Sequence, residues 1–317
     1  MKEVKNDELV EKIIELKKNK NAIILAHYYQ TADIQEIADF IGDSLALSQK
    51  AADNSADIIL FAGVRFMAET AKILSPDKKV LIPDMNAGCS LADSCDPVRF
   101  KEFIRENPGR TVITYVNTNI DIKILSDISC TSSNAVQIIE FLPEEEKIIF
   151  GPDRNLGNYI KEMTGRDIAI WDGACHVHEE FSAEAILDLK KQYPEVKLIV
   201  HPECESPVRM MADFTGSTAA LLKFTSTDNS DEFIVATEPG IIYQMEKRNP
   251  MKKFIPAPSK NSACGCSECN FMKMITIEKI YECLKKEEPE IVIDKNVLLK
   301  ARKPIVRMMK ISEKIGL

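Results

Sequence analysis

The sequence predicts an α/β protein built from three homologous parallel-sheet modules, arranged around a pseudo-three-fold axis with a central active site. Two observations support this prediction. Short β-branched runs alternate with helical patterns along the chain, which is typical of βαβ units and parallel sheets. In addition, three segments of the chain repeat the same internal spacing.

The alternation predicts nine strands and several helices. The strands are expected at Ala22–Ala26, Ile58–Phe61, Val80–Ile82, Thr111–Tyr115, Lys147–Phe150, Ile168–Ile170, Lys197–Val200, Phe233–Ala236 and Lys253–Ile255. The helical patterns between them include Ile34–Ile41, Ser44–Ala52, Arg65–Leu74, Asn134–Phe141 and Ala183–Gln192. A last amphipathic pattern, Asn296–Ile315, is expected to pack on the body of the protein.

The repeat aligns on three anchor residues at the carboxyl ends of predicted strands, 88 and 86 residues apart: His27, Tyr115 and His201. Each is followed 17 residues later by a hydroxyl residue, at Ser44, Ser132 and Thr218. A cysteine-bearing loop follows at intervals of 45, 43 and 51 residues, at Cys89, Cys175 and Cys269. We therefore expect modules at 1–96, 97–182 and 183–289, with a C-terminal helix in 290–317 packed on the first. Ligands of open α/β sheets bind beyond the carboxyl ends of the strands, so these residues should face one centre.

Composition narrows the class of function. The 317 residues include 41 Lys and Arg against 49 Asp and Glu, a net charge of −8, which argues against a nucleic-acid partner. No apolar run is long enough for a membrane span, and the charged start is unlike a signal peptide, so we expect a cytoplasmic protein without a membrane partner. Nine cysteines, an odd number, do not suggest a secreted disulfide scaffold.

The three repeat-related cysteines are candidate metal ligands. Three thiolates converging on an axis suit zinc with a fourth ligand, or an iron–sulfur cubane that leaves one iron open; three buried thiols without a metal are the alternative. Cys264 and Cys266 precede Cys269 closely and are interpreted as spectators or as a redox-sensitive pair. The cysteines without repeat equivalents are interpreted as structural: Cys95, Cys130, Cys204 and Cys283.

Polar residues after the three anchor strands supply the remaining chemistry. The triplets are His27-Tyr28-Tyr29, Tyr115-Val116-Asn117 and His201-Pro202-Glu203, in which Tyr29 and Glu203 are candidate general acid–base groups. The three hydroxyls open helical patterns, so they could cap helices or surround an anionic ligand. His176 and His178 form an HxH pair that would share one face of a strand, which leaves a hydrolase-type metal site as a further alternative.

The motifs in order resemble the quinolinate synthase family. The matching stretches lie between about residues 23 and 272: LAHYYQ, ADFIGDS, PDMNAGCSLAD, TYVNT, CTSSNA, WDGACHVHE, HPEC, DFTGST and the CxxCNFM ending. The resemblance implies a transferase of NAD biosynthesis with a three-module fold, which condenses iminoaspartate with dihydroxyacetone phosphate and releases phosphate and water. Two departures are HYY, where many members have HNY, and CGCSEC, where many have CxxCxxC. The second puts in doubt a disulfide known in some members, but not the ligand Cys269.

The resemblance also implies a set of site residues. A [4Fe-4S] cluster with one open iron is expected on Cys89, Cys175 and Cys269. Catalytic roles fall on Tyr29, His201 and Glu203. Substrate contacts are expected from His27, Ser44, Tyr115, Asn117, Ser132, His201, Glu203 and Thr218. A functional link to L-aspartate oxidase is also implied. A zinc-stabilised, non-catalytic three-module binding protein remains the rival hypothesis at this point.

Overall fold

A computed structural model describes residues 2–260 and 267–317 of the chain. Within these residues it contains three four-stranded sheets, and every strand pair in them is parallel. The predicted α/β class and the three parallel-sheet modules are therefore confirmed. In each sheet the first strand of the module lies between the second and the third.

The first module begins with a long helix and continues with the sheet β2-β1-β3-β4. Its elements are α1 (Lys2–Asn19), β1 (Ala22–His27), α2 (Ala32–Ile37), β2 (Phe40–Gly42), α3 (Ser44–Ala52), β3 (Ile58–Ala62), α4 (Arg65–Leu74), β4 (Lys79–Leu81) and α5 (Ser90–Asp93).

The second module has the same strand order, β6-β5-β7-β8. Its elements are α6 (Pro97–Glu106), β5 (Thr111–Tyr115), α7 (Ile120–Ile124), β6 (Ile128–Cys130), α8 (Ala135–Phe141), β7 (Ile148–Gly151), α9 (Arg154–Thr164), β8 (Ile168–Ile170) and α10 (His176–Glu179).

The third module repeats the order as β10-β9-β11-β12. Its elements are α11 (Ala183–Gln192), β9 (Lys197–Val200), α12 (Ser206–Arg209), β10 (Phe214–Thr215), α13 (Thr218–Thr227), β11 (Glu232–Ala236), α14 (Gly240–Arg248) and β12 (Lys253–Pro256). The described chain ends with a 3-10 turn (Met272–Met274), α15 (Ile277–Lys286) and α16 (Lys295–Lys314).

The sequence prediction missed the edge strand β2, β6 or β10 of each module. The helix predicted at Ile34–Ile41 ends at Ile37, and Phe40–Gly42 forms β2. These strands have only two or three residues each, which is too short for an alternating pattern to be visible.

A repeated aspartate fixes each of these edge strands. The side chain of Asp39 accepts the main-chain N–H of Ile24 on the central strand at 2.7 Å. Asp127 and Asp213 make the equivalent bonds in the other two modules, at 2.9 and 2.7 Å. These aspartates are 88 and 86 residues apart, the same intervals that separate His27, Tyr115 and His201. The three modules therefore share this hydrogen bond as well as the sequence spacing.

The C-terminal segment joins the first two modules. Helix α15 packs on α1, and residue Glu290 bridges Leu81 at the edge of the first sheet. Helix α16 was predicted to pack on the first module, but it lies against α4 of that module and against α7, α8 and β6 of the second. Among residues 2–260 and 267–317, no helix is both long and apolar enough to span a membrane.

Candidate active site

One cavity lies where the carboxyl ends of the three central strands meet. All of the residues predicted for the site line it: His27, Tyr29, Ser44, Cys89, Tyr115, Asn117, Ser132, Cys175, His201, Glu203, Thr218 and Cys269. Sequence reasoning did not single out several further lining residues: Asp43, Val64, Phe66, Met67, Val177, Glu238 and Met272. The structure therefore assembles residues from all three modules around one chamber.

The two histidines at the ends of the central strands β1 and β9 are held in one tautomer. The main-chain N–H of Tyr29 donates to Nδ1 of His27 at 3.1 Å, and that of Glu203 donates to Nδ1 of His201 at 3.3 Å. Burial lowers the pKa of both imidazoles to about 3, so they are neutral at pH 7. Since Nδ1 accepts, the proton lies on Nε2, and each ring can donate a hydrogen bond to a ligand.

Glu203 is a buried carboxylate with partners from the second module. The hydroxyl of Tyr115 donates to its Oε1 at 2.7 Å, and Nδ1 of His178 lies 3.1 Å from its Oε2. Burial alone would raise its pKa, but His178 and the hydrogen bond from Tyr115 lower the pKa of Glu203 to about 2. The carboxylate is therefore ionised and can accept a proton from a ligand.

Tyr29 belongs to a chain of hydrogen-bonding side chains that crosses the module boundary. Its hydroxyl lies 3.0 Å from Oγ1 of Thr218 and 2.7 Å from Oγ1 of Thr237. Thr237 in turn lies 2.9 Å from Nε2 of His178. Burial raises the pKa of Tyr29 well above its ordinary value, so its phenol keeps the proton. Thr237 has no equivalent among the motifs, and no signal in the sequence marked it.

The HxH pair does not form a shared metal site. His176 and His178 lie on the short helix α10 and not on a strand, so residues two apart point in different directions. Nδ1 of His176 lies 2.6 Å from Oγ of Ser90, whereas His178 faces Glu203. The alternative of a hydrolase-type metal site required both histidines to share one face of a strand, and that condition is not met.

Asn117 presents an unpartnered polar atom to the cavity. Its Oδ1 is buried and has no hydrogen-bond partner among residues 2–260 and 267–317. Buried polar atoms are nearly always paired in folded proteins, so an orphaned atom in a cavity indicates a place for a ligand group. A ligand N–H or O–H group could donate a hydrogen bond to this oxygen.

The site hydroxyls are not the helix caps. Asp43 caps α3 by accepting from Ala46 N, and Ser217 caps α13 by accepting from Ala220 N. Ser44 and Thr218 are instead the first residues of these helices, and Ser132 precedes the start of α8. Their hydroxyls line the cavity, and Oγ of Ser132 lies 3.3 Å from Nε2 of His201.

The three repeat-related thiols lie in similar local settings. Cys89 and Cys175 immediately precede the short helices α5 and α10, and Cys269 precedes the 3-10 turn. Main-chain N–H groups that follow each cysteine oppose the effect of burial by lowering the pKa of its thiol. Cys264 and Cys266 lie outside the described residues, whereas the four cysteines interpreted as structural are buried.

The thiol set fits a polynuclear metal group. Burial raises the pKa of Cys89 to about 12 and that of Cys175 well above its ordinary value. A bound metal cation would displace the thiol protons, and the sulfurs would then bind it as thiolates. A single zinc would hold three thiolates within about 4 Å of one another, given Zn–S bonds of about 2.3 Å. Among the described residues the three thiols do not form a set within 4.8 Å, and a cluster separates its ligands more widely.

A second group of possible ligands shares one of these thiols. The ligand atoms of Cys175, His178 and Glu203 all lie within 4.8 Å of one another. This compact set could hold a single ion, and it keeps a zinc alternative open for experiment.

Comparison with known proteins assigns the chain to a family. The family model described as "Quinolinate synthetase A protein" matches residues 11–310. A quinolinate synthase of Rippkaea orientalis is 56% identical over 306 residues, which cover 96% of this chain and 94% of that protein. The quinolinate synthase of a Synechocystis species is 56% identical over 305 residues, with 96% of each covered. That of a Nostoc species is 57% identical over 297 residues, covering 94% and 91%.

Proposed function

Because the chain belongs to the quinolinate synthetase A family, we propose that its central cavity is the active site of a quinolinate synthase, which condenses iminoaspartate with dihydroxyacetone phosphate. The activity is that of an enzyme of NAD biosynthesis, the known role of this family. The observation that carries the proposal is that one cavity, among the described residues, gathers three thiols and twelve polar side chains from three modules. We place the reaction in the cytoplasm, where thiols stay reduced.

The cavity has donors suited to a dicarboxylate. The Nε2–H groups of His27 and His201 and the hydroxyls of Ser44, Ser132 and Thr218 are neutral donors around the cavity. The N-terminal ends of α3 and α13 add main-chain dipoles, which favour anions. The orphaned Oδ1 of Asn117 is positioned to accept the imine N–H that distinguishes iminoaspartate from a plain dicarboxylate.

Two side chains are suited to proton transfer. Glu203 is ionised, so its carboxylate oxygens can take a proton from a substrate carbon. Tyr29 retains its phenolic proton and can donate it from Oη to a leaving oxygen. His201 donates from Nε2 and orients the substrate between them. The chain from Tyr29 through Thr237 to His178 connects these groups and could return the proton.

Cys89, Cys175 and Cys269 are the residues that would hold a [4Fe-4S] cluster in our proposal. Such a cluster supplies an open iron that acts as a Lewis acid in dehydration. The thiols lie in the same cavity as the polar groups described above, which supports the assignment. The non-catalytic rival is set aside, because the curated relatives are enzymes.

Anaerobic purification followed by iron, sulfide and zinc analysis tests the cluster. We expect iron and sulfide in cluster stoichiometry, and their loss when Cys89, Cys175 or Cys269 is replaced by Ser. Cys95→Ser, a buried cysteine outside the cavity, is the matched control and should keep its iron. Stoichiometric zinc that is lost in His178→Ala would instead support an ion on Cys175, His178 and Glu203. A Cys269→Ser protein with full iron content would overturn the ligand assignment.

The same preparations test the substrates. We expect quinolinate to form from iminoaspartate and dihydroxyacetone phosphate with release of one phosphate for each quinolinate. Iminoaspartate generated in place by L-aspartate oxidase would supply the reaction, which is the functional link implied by the substrate. Cluster-replete protein that forms no quinolinate from this pair would contradict the proposed substrates.

A further inference from the structure

A buried carboxylate holds the main chain of Cys175. Asp153 has no exposed surface, and its two oxygens have different tasks. Oδ1 accepts the N–H groups of Asn155 and Leu156 at 2.7 and 3.0 Å, which caps α9. Oδ2 accepts the N–H of Cys175 at 2.9 Å. The thiol-bearing residue is thereby fixed to the start of a helix in the same module.

A second buried carboxylate does the same for Cys269. Glu238 also has no exposed surface. Its Oε1 accepts the N–H of Cys269 at 3.3 Å and lies 2.8 Å from Nζ of Lys273, and its Oε2 accepts the N–H of Gly240 at 2.7 Å. Lys273 in turn donates to the main-chain oxygen of Tyr29 at 2.7 Å. Through Lys273, this carboxylate therefore connects the cysteine loop with the turn after β1 that contains Tyr29.

The two acids occupy equivalent positions in their modules. Each lies two residues after the third strand, β7 or β11, ends. The same position in the first module, two residues after β3, is Val64, which has no polar atom to hold Cys89. The loops themselves are equivalent, because Arg65 N donates to Ala87 O and Arg154 N donates to Gly173 O, both at 2.7 Å.

From these contacts we infer that Asp153 and Glu238 are positioning residues for the cluster ligands Cys175 and Cys269. This inference rests on the proposed function, since it takes these thiols as ligands. Groups that orient metal ligands contribute strongly to metal retention, and their removal commonly costs 10–100-fold in affinity. Each carboxylate accepts through both oxygens, whereas an amide has only one acceptor oxygen. Asp153→Asn and Glu238→Gln must therefore lose a bond while keeping the shape of the side chain.

The test measures iron release in place of turnover. Reconstituted Asp153→Asn and Glu238→Gln proteins are mixed anaerobically with a ferrous chelator, and the rate of iron transfer is followed by absorbance. We expect release about tenfold faster or more than in the unsubstituted protein. We also expect an altered electron paramagnetic resonance spectrum of the reduced cluster, because the main-chain geometry at the sulfur changes.

Asp294→Asn is the matched control. Asp294 caps α16 as Asp153 caps α9, with one oxygen accepting the N–H groups two and three residues later, at 2.9 and 3.2 Å. It is not among the residues that line the cavity. The control should keep its cap, because a single amide oxygen can accept both N–H groups, and it should release iron at the normal rate with an unchanged spectrum. Changes of ionic strength or temperature are not expected to restore the normal rate of iron release in Asp153→Asn or Glu238→Gln.

The outcomes separate this inference from the proposal on which it rests. If Cys175→Ser and Cys269→Ser keep their iron, the ligand assignment fails. If those variants lose iron while Asp153→Asn and Glu238→Gln release it normally, only the positioning roles are overturned. Equally fast release from the Asp294→Asn control would also overturn them, because the effect would then be one of general stability. Glu238→Gln keeps the test decisive if Asp153→Asn fails to fold.

Discussion

The first two modules share one apolar core, whereas the third module has cores of its own. One apolar core contains strands of the first and second sheets together with α15 and α16, and it includes Ile24, Ile113 and Ile305. The third module has two smaller cores that are largely its own. Separating two apolar surfaces exposes both to water and loses the free energy of their burial. Polar groups that separate can form hydrogen bonds with water in place of those with protein. The first two modules should therefore behave as one body.

The third module also meets that body through polar contacts, several of them at the active site. They include the bonds between Tyr29 and Thr218, between Tyr115 and Glu203, and between Arg209 and Glu162. We therefore expect the third module to be the one that opens for substrate and closes over it, excluding water from the imine. The same side chains would then serve both closure and chemistry.

Glu203→Gln should have the largest effect on activity, because Glu203 lies in the active site where the second and third modules meet. The amide keeps the shape of the side chain but cannot accept a proton. We expect turnover to fall by about 10²-fold or more, the usual scale for a general acid–base group. Iron content and folding should be unchanged. The measurement is steady-state kinetics on anaerobic, cluster-replete protein.

Glu162→Gln is the control for that experiment. Glu162 also spans the second and third modules through Arg209, but more than half of its side chain is exposed. Near-normal turnover is expected there. Near-normal turnover in Glu203→Gln would mean that its carboxylate is structural, and the proton role would pass to Tyr29 or His201.

Much of this boundary could be predicted from the sequence because the repeat marks it. The nearly equal spacing of His27, Tyr115 and His201 located the strand ends, and the hydroxyl and cysteine intervals located the rest of the cavity. Helices Ser44–Ala52 and Arg65–Leu74 have the predicted bounds. The first is marked by the polar residues at its start, and the second by apolar residues that recur at helical spacing.

What the sequence could not reveal depends on contacts between modules. Thr237 and Glu238 follow a strand, but only the folded chain brings them to Tyr29 and Cys269. His178 was weighed only as a metal ligand, since its neighbour Glu203 is 25 residues away in another module. The three edge strands were missed because a strand of two or three residues is too short to show an alternating pattern of apolar and polar residues.

Ile305→Ala tests whether the first two modules form one body. Ile305 lies on α16 with no exposed surface, within the core that these modules share. Removing a buried Ile side chain of this kind costs about 2–5 kcal/mol. We expect amide hydrogen exchange to become faster in both the first and the second sheets. Exchange resolved by mass spectrometry is the measurement.

The matched change in the third module is Leu221→Ala. Leu221 is equally buried, but it belongs to a core of the third module. Its effect on exchange should be confined largely to β9, β10, β11 and β12. If Ile305→Ala and Leu221→Ala accelerate exchange in all three sheets alike, the three modules unfold as a single unit and the comparison fails.

Ser132→Ala probes a weaker contact across the boundary between the second and third modules. Its hydroxyl lies 3.3 Å from Nε2 of His201 and faces the cavity. We expect dicarboxylate binding to weaken by about 1–3 kcal/mol, the scale of a hydrogen bond to a charged group. Quinolinate binding measured by titration is the readout, with turnover at saturating substrate little changed. A loss of turnover without weaker binding would contradict a binding role.

The smallest effect is expected at the rim of the boundary between the first and third modules, where Glu36 of α2 contacts Tyr243 and Lys247 of α14. About half of each side chain of the ion pair is exposed, so water and salt compete with it. Glu36→Gln should therefore change KM by no more than about fivefold, and the difference should disappear at high salt. Glu8→Gln, which removes the exposed Glu8–Lys12 pair within α1, is the control and should change nothing. A much larger effect of Glu36→Gln that persists at high salt would mean that closure depends on the exposed rim, and not on the buried bonds of Tyr29 and Glu203.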